Sequence, residues 1–141
     1  MKQRKIHRLN GNQELPFVLI AISCHESLLK TAWNINKQLH IDLRESDILI
    51  DAKKIPSPVF PVFCDRESSP DRSYCLIPNK ESTLLLVKEL PNIEFIFEIS
   101  GVIKKDEISS IIKEIKGIPG IIAALEINPE KIKRETAFCP M

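Results

Sequence analysis

PFVLIAISCHESLLKTAWNINKQL, Pro16–Leu39, changes period in its middle, and that change decides the fold. Phe17–Ile22 is continuously apolar, as a strand buried on both faces of a sheet would be. From Glu26 the spacing turns helical. Leu28, Leu29, Ala32, Trp33, Ile35 and Leu39 fall mainly on one face, with Lys30, Asn34, Lys37 and Gln38 largely opposite. Trp33 is therefore expected to anchor this helix on the sheet, and Asn36 to lie near its polar side. Ser23-Cys24-His25 forms the junction between strand and helix.

A second unit of the same kind closes the sequence. In NIEFIFEIS, Ile93, Phe95, Phe97 and Ile99 share one face of a period-two pattern. Glu94 and Glu98 fall on the other face with Ile96, which predicts solvent-facing carboxylates on a half-covered sheet. DEISSIIKEIKGI, Asp106–Ile118, carries isoleucines at 108, 111, 112, 115 and 118, a helical stripe that Gly117 and Pro119 would end. GIIAALEI, Gly120–Ile127, then reads as a final buried strand, and NPEKIKRE as a short last helix begun by Asn128 and Pro129.

Between the two units the chain is rich in strands and prolines. SDILID (Ser46–Asp51) and STLLLVKEL (Ser82–Leu90) read as strands, and KIHRLN (Lys5–Asn10) as an edge strand. VFPVFC (Val59–Cys64) and SYCLIP (Ser73–Pro78) read as edge strands or hairpin arms around the polar turn Asp65–Arg72, because proline lacks a ladder donor. The expected architecture is a single α+β domain over residues 1–141, with flexible ends at 1–4 and 136–141. It is a two-layer sandwich: a largely antiparallel sheet with two main helices, around Leu28–Leu39 and Glu107–Ile115, on one face, ferredoxin-like in part.

Composition narrows the functional classes. A hydrophobic content of 43% with 28% charged residues is ordinary for a globular chain of 141 residues. Twenty Lys+Arg against nineteen Asp+Glu give a net charge of +1, so nucleic acid is not an expected partner. The basic head with Lys2, Arg4, Lys5 and Arg8 reads as a solvated terminus. No run reaches the length of a membrane span, and FVLIAI is too short for a secretory signal, so the expected location is cytoplasmic. Cys24, Cys64, Cys75 and Cys139 are scattered without a CxxC pair, which argues against a zinc site. In a reducing compartment they are expected to pack as small hydrophobes, without disulfides. His7 and His40 have no ligand spacing. No metal or other cofactor is expected, and no phosphate-binding glycine loop is present.

Four stretches resemble a bacterial family named after its pattern Ile-Pro-Glu-x-x-x-Val-Asp-Tyr. The pattern would read here as Val87-Lys88-Glu89, three residues, then Ile93-Glu94-Phe95. Ile22-Ser23-Cys24-His25, Trp33-Asn34-Ile35-Asn36-Lys37 and Ala124-Leu125-Glu126-Ile127-Asn128-Pro129 are similar at matching spacing. Lys88 replaces the family proline, and Phe95 the tyrosine, so a role for that hydroxyl would be lost here. The resemblance implies a small cytoplasmic protein with no established active site. It marks Ser23, His25, Trp33, Asn36, Glu89 and Glu94 as the positions to inspect.

Three functions are compatible with this reading. A non-catalytic module that binds a protein partner or associates with itself leads, because exposed strand edges invite pairing. The second is a small-molecule sensor like ACT-type domains, binding near Gly101 or Gly120. The third is an enzyme using Cys24 or His25. As sequence neighbours these two suit a strand–helix junction better than a nucleophile–base pair, and Ser27 or Ser23 can cap the helix there.

Overall fold

The computed structural model describes residues 17–49, 59–81, 84–85 and 92–127. The elements run β1 (Phe17–Cys24), α1 (Leu28–Leu39), β2 (Arg44–Leu49), β3 (Val59–Asp65), β4 (Arg72–Pro78), β5 (Lys80–Glu81), β6 (Leu84–Leu85), β7 (Phe95–Gly101), α2 (Lys105–Lys116) and β8 (Ile121–Ile127). Six strands form one open sheet in the order β2-β3-β4-β7-β1-β8, and β5 and β6 pair separately. Each neighbouring pair in the six-stranded sheet is antiparallel.

The apolar run Phe17–Ile22 lies in β1, between β7 and β8, and is buried on both sides as its continuous hydrophobicity requires. Both strand–helix–strand units are present. Within the sheet, β8-β1-β7-β4 with α1 and α2 on one face has the order and directions of a ferredoxin-like unit. The β2–β3 hairpin extends it on the far side.

One core lies under the helices. Val18, Ile20 and Ile22 from β1 and Phe97 and Ile99 from β7 meet Ala32 and Ile35 of α1 and Ile108 and Ile115 of α2. The helix ends follow local chemistry. Ser27 caps α1, its hydroxyl accepting the Lys30 N–H at 3.2 Å. At α2, the Glu107 carboxylate accepts the Lys104 N–H at 2.9 Å and an Arg72 guanidinium N–H at 2.8 Å, joining the helix start to β4. Gly117 follows the last turn of α2.

The opposite face carries a second buried cluster built from Leu19, Ala21, Val62, Cys64, Cys75, Ile77, Ile96 and Ile127. This corrects the expectation of a half-solvated face. β7 is buried along its whole length, and Glu98, read from the sequence as solvent-facing, is only 4% exposed. Alternation in NIEFIFEIS identifies two faces but not what covers each. Glu98 stands opposite Cys75 on β4 and Leu19 on β1, both buried, so its carboxyl shares their surroundings.

Other expectations shift in place. β3 and β4 are the arms of a hairpin around the Asp65–Arg72 turn, one of the two expected arrangements, and they are interior strands of the sheet, not edges. The ladder to β4 covers Phe63–Asp65 alone, so Pro61 lies beyond it and its missing N–H breaks no bond on that side. β8 is a partly exposed edge strand instead of a buried one. β2 begins two residues before Ser46. The expected strand at Lys5–Asn10, most of Ser82–Leu90, the helix after Asn128 and both expected flexible ends lie outside the described residues.

Cys64 and Cys75 form a disulfide across β3 and β4, against the expectation that cysteines here stay unpaired. Their pairing depends on hairpin register: the two are direct partners across the strands, a relation that their eleven-residue separation does not reveal.

Candidate functional site

The residues singled out by sequence do not gather in one place. Ser23 lies at the end of β1, where the register with β8 shifts between Ser23 and Cys24. The Glu94 carboxylate reaches this irregularity and accepts the Cys24 N–H at 3.1 Å. Glu94 also uses its main chain, donating its N–H to Ile22 O at 3.0 Å and accepting the Asn79 N–H at 2.8 Å. It thus fastens the end of β1 to the approach of β7. Cys24 is 2% exposed, with Sγ 3.5 Å from the Thr31 hydroxyl, and packs as a small core residue. His25 is exposed in the bend that leads to Ser27.

Asn36 is near the other end of α1, about 12 Å along the helix from its start. Its amide accepts the Leu43 N–H at 2.7 Å and donates to Leu43 O at 3.2 Å. Its carbonyl accepts the N–H groups of His40 and Ile41, with His40 in the left-handed conformation at φ 59°. Asn36 therefore shapes the turn from α1 into β2. Asn36→Ala is expected to cost about 1.5 kcal/mol in urea unfolding, the scale of two part-buried hydrogen bonds. Glu89 lies outside the described residues.

Trp33 corrects the expectation of a core anchor. It is 56% exposed, and Leu29, one turn earlier, is 66% exposed. The buried side chains of α1 are Thr31, Ala32 and Ile35, with Leu28 and Leu39 packed beside them. Trp33 is five residues from Leu28, about 140° round the helix, and so points away from the sheet. The Lys37 ammonium lies over the Trp33 ring, 4.5 Å from its centroid. Leu29, Trp33 and Lys37 form a ridge at successive turns of one exposed flank.

A polar cleft of about 420 Å³ opens beside the β3–β4 turn, lined in part by Asp42, Arg44, Cys64, Asp65, Arg66 and Ser68. Asp65 organises it. Its carboxylate accepts N–H groups from Asp42 at 2.9 Å, Glu67 at 2.9 Å and Ser68 at 3.0 Å. Burial pushes its pKa upward, but the Ser68 hydroxyl and the three N–H groups outweigh it and hold the carboxyl down at about 2. Asp65 is consequently an ionised anchor for the turn.

Behind the cleft, register lines up Arg44, Cys64, Cys75, Glu98, Leu19 and Ile127 in one row across all six strands. Direct partners project to the same side of a sheet, so the Cys64–Cys75 disulfide is flanked by the buried carboxyl of Glu98. Burial pushes the Glu98 pKa up to about 7, against the opposing pull of Arg66. Sequence reading missed this grouping because its members come from three strands. The one local signal was a glutamate amid the apolar residues of β7.

No protein-family model, curated protein or solved structure matches the chain. Among the described residues no helix is long and apolar enough to cross a membrane.

Proposed function

We propose that the chain is a cytoplasmic, non-catalytic interaction module that contacts a protein partner or a second copy of itself through the Leu29–Trp33 ridge of α1. The observation that carries this reading is the exposure of Trp33 beside Leu29, two large apolar side chains on one helix flank. A tryptophan supplies much contact area at little conformational cost and is enriched among residues that dominate binding energy. The half-exposed edge strand β8, with Ile122 and Leu125 turned to solvent, supports the same reading. Kinship with the IPExxxVDY family belongs to the same proposal and rests on the order and spacing of its four stretches. Glu94, at the family's aspartate position, has a clear positional role at the end of β1.

The sensor alternative places its ligand near Gly101 or Gly120, where the chain's own atoms lie close to the glycine backbone. A side chain at Gly101 would collide with Asp71 O, and one at Gly120 would meet the Glu26 side chain at 3.0 Å. Those glycines, at φ +122° and +97°, serve close packing and backbone turns.

Trp33→Ala tests the interaction reading. It is expected to change stability by less than about 0.5 kcal/mol, as exposed substitutions do. It is also expected to abolish self-association in sedimentation velocity, or cross-linking to a partner from a photoreactive residue at position 29. A wild-type chain that stays monomeric at every concentration, with no cross-link that depends on Trp33, would overturn the reading.

A further inference from the structure

We propose that Cys64–Cys75 is an exchangeable disulfide, attacked by a dithiol reductant at Cys64 Sγ, with Glu98 supplying the proton to the leaving sulfur of Cys75. Three observations carry it. Both cysteines are buried, Cys64 7% and Cys75 6% exposed, but only Cys64 borders the polar cleft, which gives an incoming thiolate its approach to that sulfur. Cys75 stands directly opposite Glu98, so the sulfur released by that attack lies beside a carboxyl. Glu98 is 4% exposed, and among the described residues its carboxyl makes no side-chain hydrogen bond, which leaves it available to the disulfide.

The chemistry requires such a group. A thiolate released among Ile77, Ile96 and Leu19 is poorly solvated, and protonation lets it leave. In the first step the reductant thiolate bonds to Cys64 Sγ, the Cys64–Cys75 bond breaks, and Cys75 takes the Glu98 proton. In the second, the reductant's other thiolate attacks its own sulfur in the mixed disulfide and releases Cys64, which takes a proton from solvent. Glu98 is reprotonated from solvent. The net change is two electrons and two protons from the dithiol, which becomes a disulfide. A small disulfide such as oxidised glutathione runs the reaction in reverse.

The groups facing Glu98 define its pH response. β4 presents Cys75 between Ser73 and Ile77, β1 presents Leu19 between Phe17 and Ala21, and the charge acting on it is Arg66 from the β3–β4 turn. Glu98 is largely protonated below pH 7, so proton donation to Cys75 is strongest there.

The test is the reduction of the oxidised full chain by dithiothreitol under native conditions, from pH 5.5 to 8.5. Rates are expressed per reductant thiolate, and the mixed disulfide is trapped by acid and located by mass spectrometry. The expected results are reduction without unfolding and a mixed disulfide on Cys64. The rate per thiolate should fall as pH rises through about 7. In Glu98→Gln it should be at least about tenfold slower at pH 6 and flat with pH. Reduction only at the rate of global unfolding, attack at Cys75, or an unchanged pH profile in Glu98→Gln would each overturn the proposal. If that variant does not fold, the position of attack and the wild-type pH profile decide the matter. A chain that never forms the disulfide with oxidised glutathione would also overturn it.

Discussion

Glu98→Gln is expected to stabilise the protein by about 3 kcal/mol at pH 8 and to leave its stability nearly unchanged at pH 4. The wild-type carboxyl is raised from its ordinary 4.5 to about 7 in the folded chain by burial. Between these values the unfolded chain has released this proton while the folded chain still holds it. Stability is therefore fully present below about pH 4.5 and is lost as pH rises through about 7. Above that, the folded chain holds a carboxylate on an apolar face, favoured among the described residues by Arg66. Glutamine keeps the shape of the neutral acid and cannot ionise, so the variant escapes the loss. Urea unfolding of the oxidised protein at the two pH values measures this. A variant less stable than wild type at pH 8 would mean that the carboxylate is well paired when folded.

Asp65→Ala is expected to cost about 3 kcal/mol at pH 7, since three N–H groups at the β3–β4 turn lose one common acceptor. Asp42 would be released from the turn, loosening the path from α1 into β2. The pH dependence has the opposite sense to that of Glu98. The folded carboxyl is lowered from 3.8 to about 2, so its contribution is present above about pH 4 and is lost as pH falls through about 2. The wild type should lose about 2 kcal/mol over this range. Asp65→Ala should lack that part of the acid limb. Equal acid limbs in the two proteins would mean that the hydrogen bonds at Asp65 do not depend on its charge.

The contrast between these carboxylates shows how far local pattern reaches. Phe17–Ile22 announced its central place because a run without polar residues fits only a strand covered on both sides. The isoleucines of α2 announced their helix because their spacing matches one face of it. Both signals are local. Glu98 was misplaced because its alternation is also local, while the buried surroundings it shares with Cys75 and Leu19 are a product of tertiary pairing. Trp33 was misplaced for a related reason: a helix rich in apolar residues has an apolar arc wider than its contact with the sheet. Leu28, Ala32, Ile35 and Leu39 occupy that contact, which leaves Leu29 and Trp33 on its flank.

The candidate site was legible only in fragments. Asn36 and Glu94 were marked as positions of interest, and both hold backbone at a turn or strand end. The Cys64–Cys75 pair and its proximity to Glu98 depend on the register of β3, β4 and β7, to which the polar turn at Asp65 contributes by joining the β3–β4 hairpin. The same register makes the row across the sheet a product of tertiary pairing. Sequence spacing alone contains no trace of it.

The most direct measurement is a carbon-13 NMR titration of the Glu98 side-chain carboxyl in the oxidised protein. Burial opposite Cys75 and Leu19 predicts a midpoint of about 7. A midpoint in the ordinary carboxylate range near 4.5 would contradict it, showing that the second face of the sheet is open to water at Glu98.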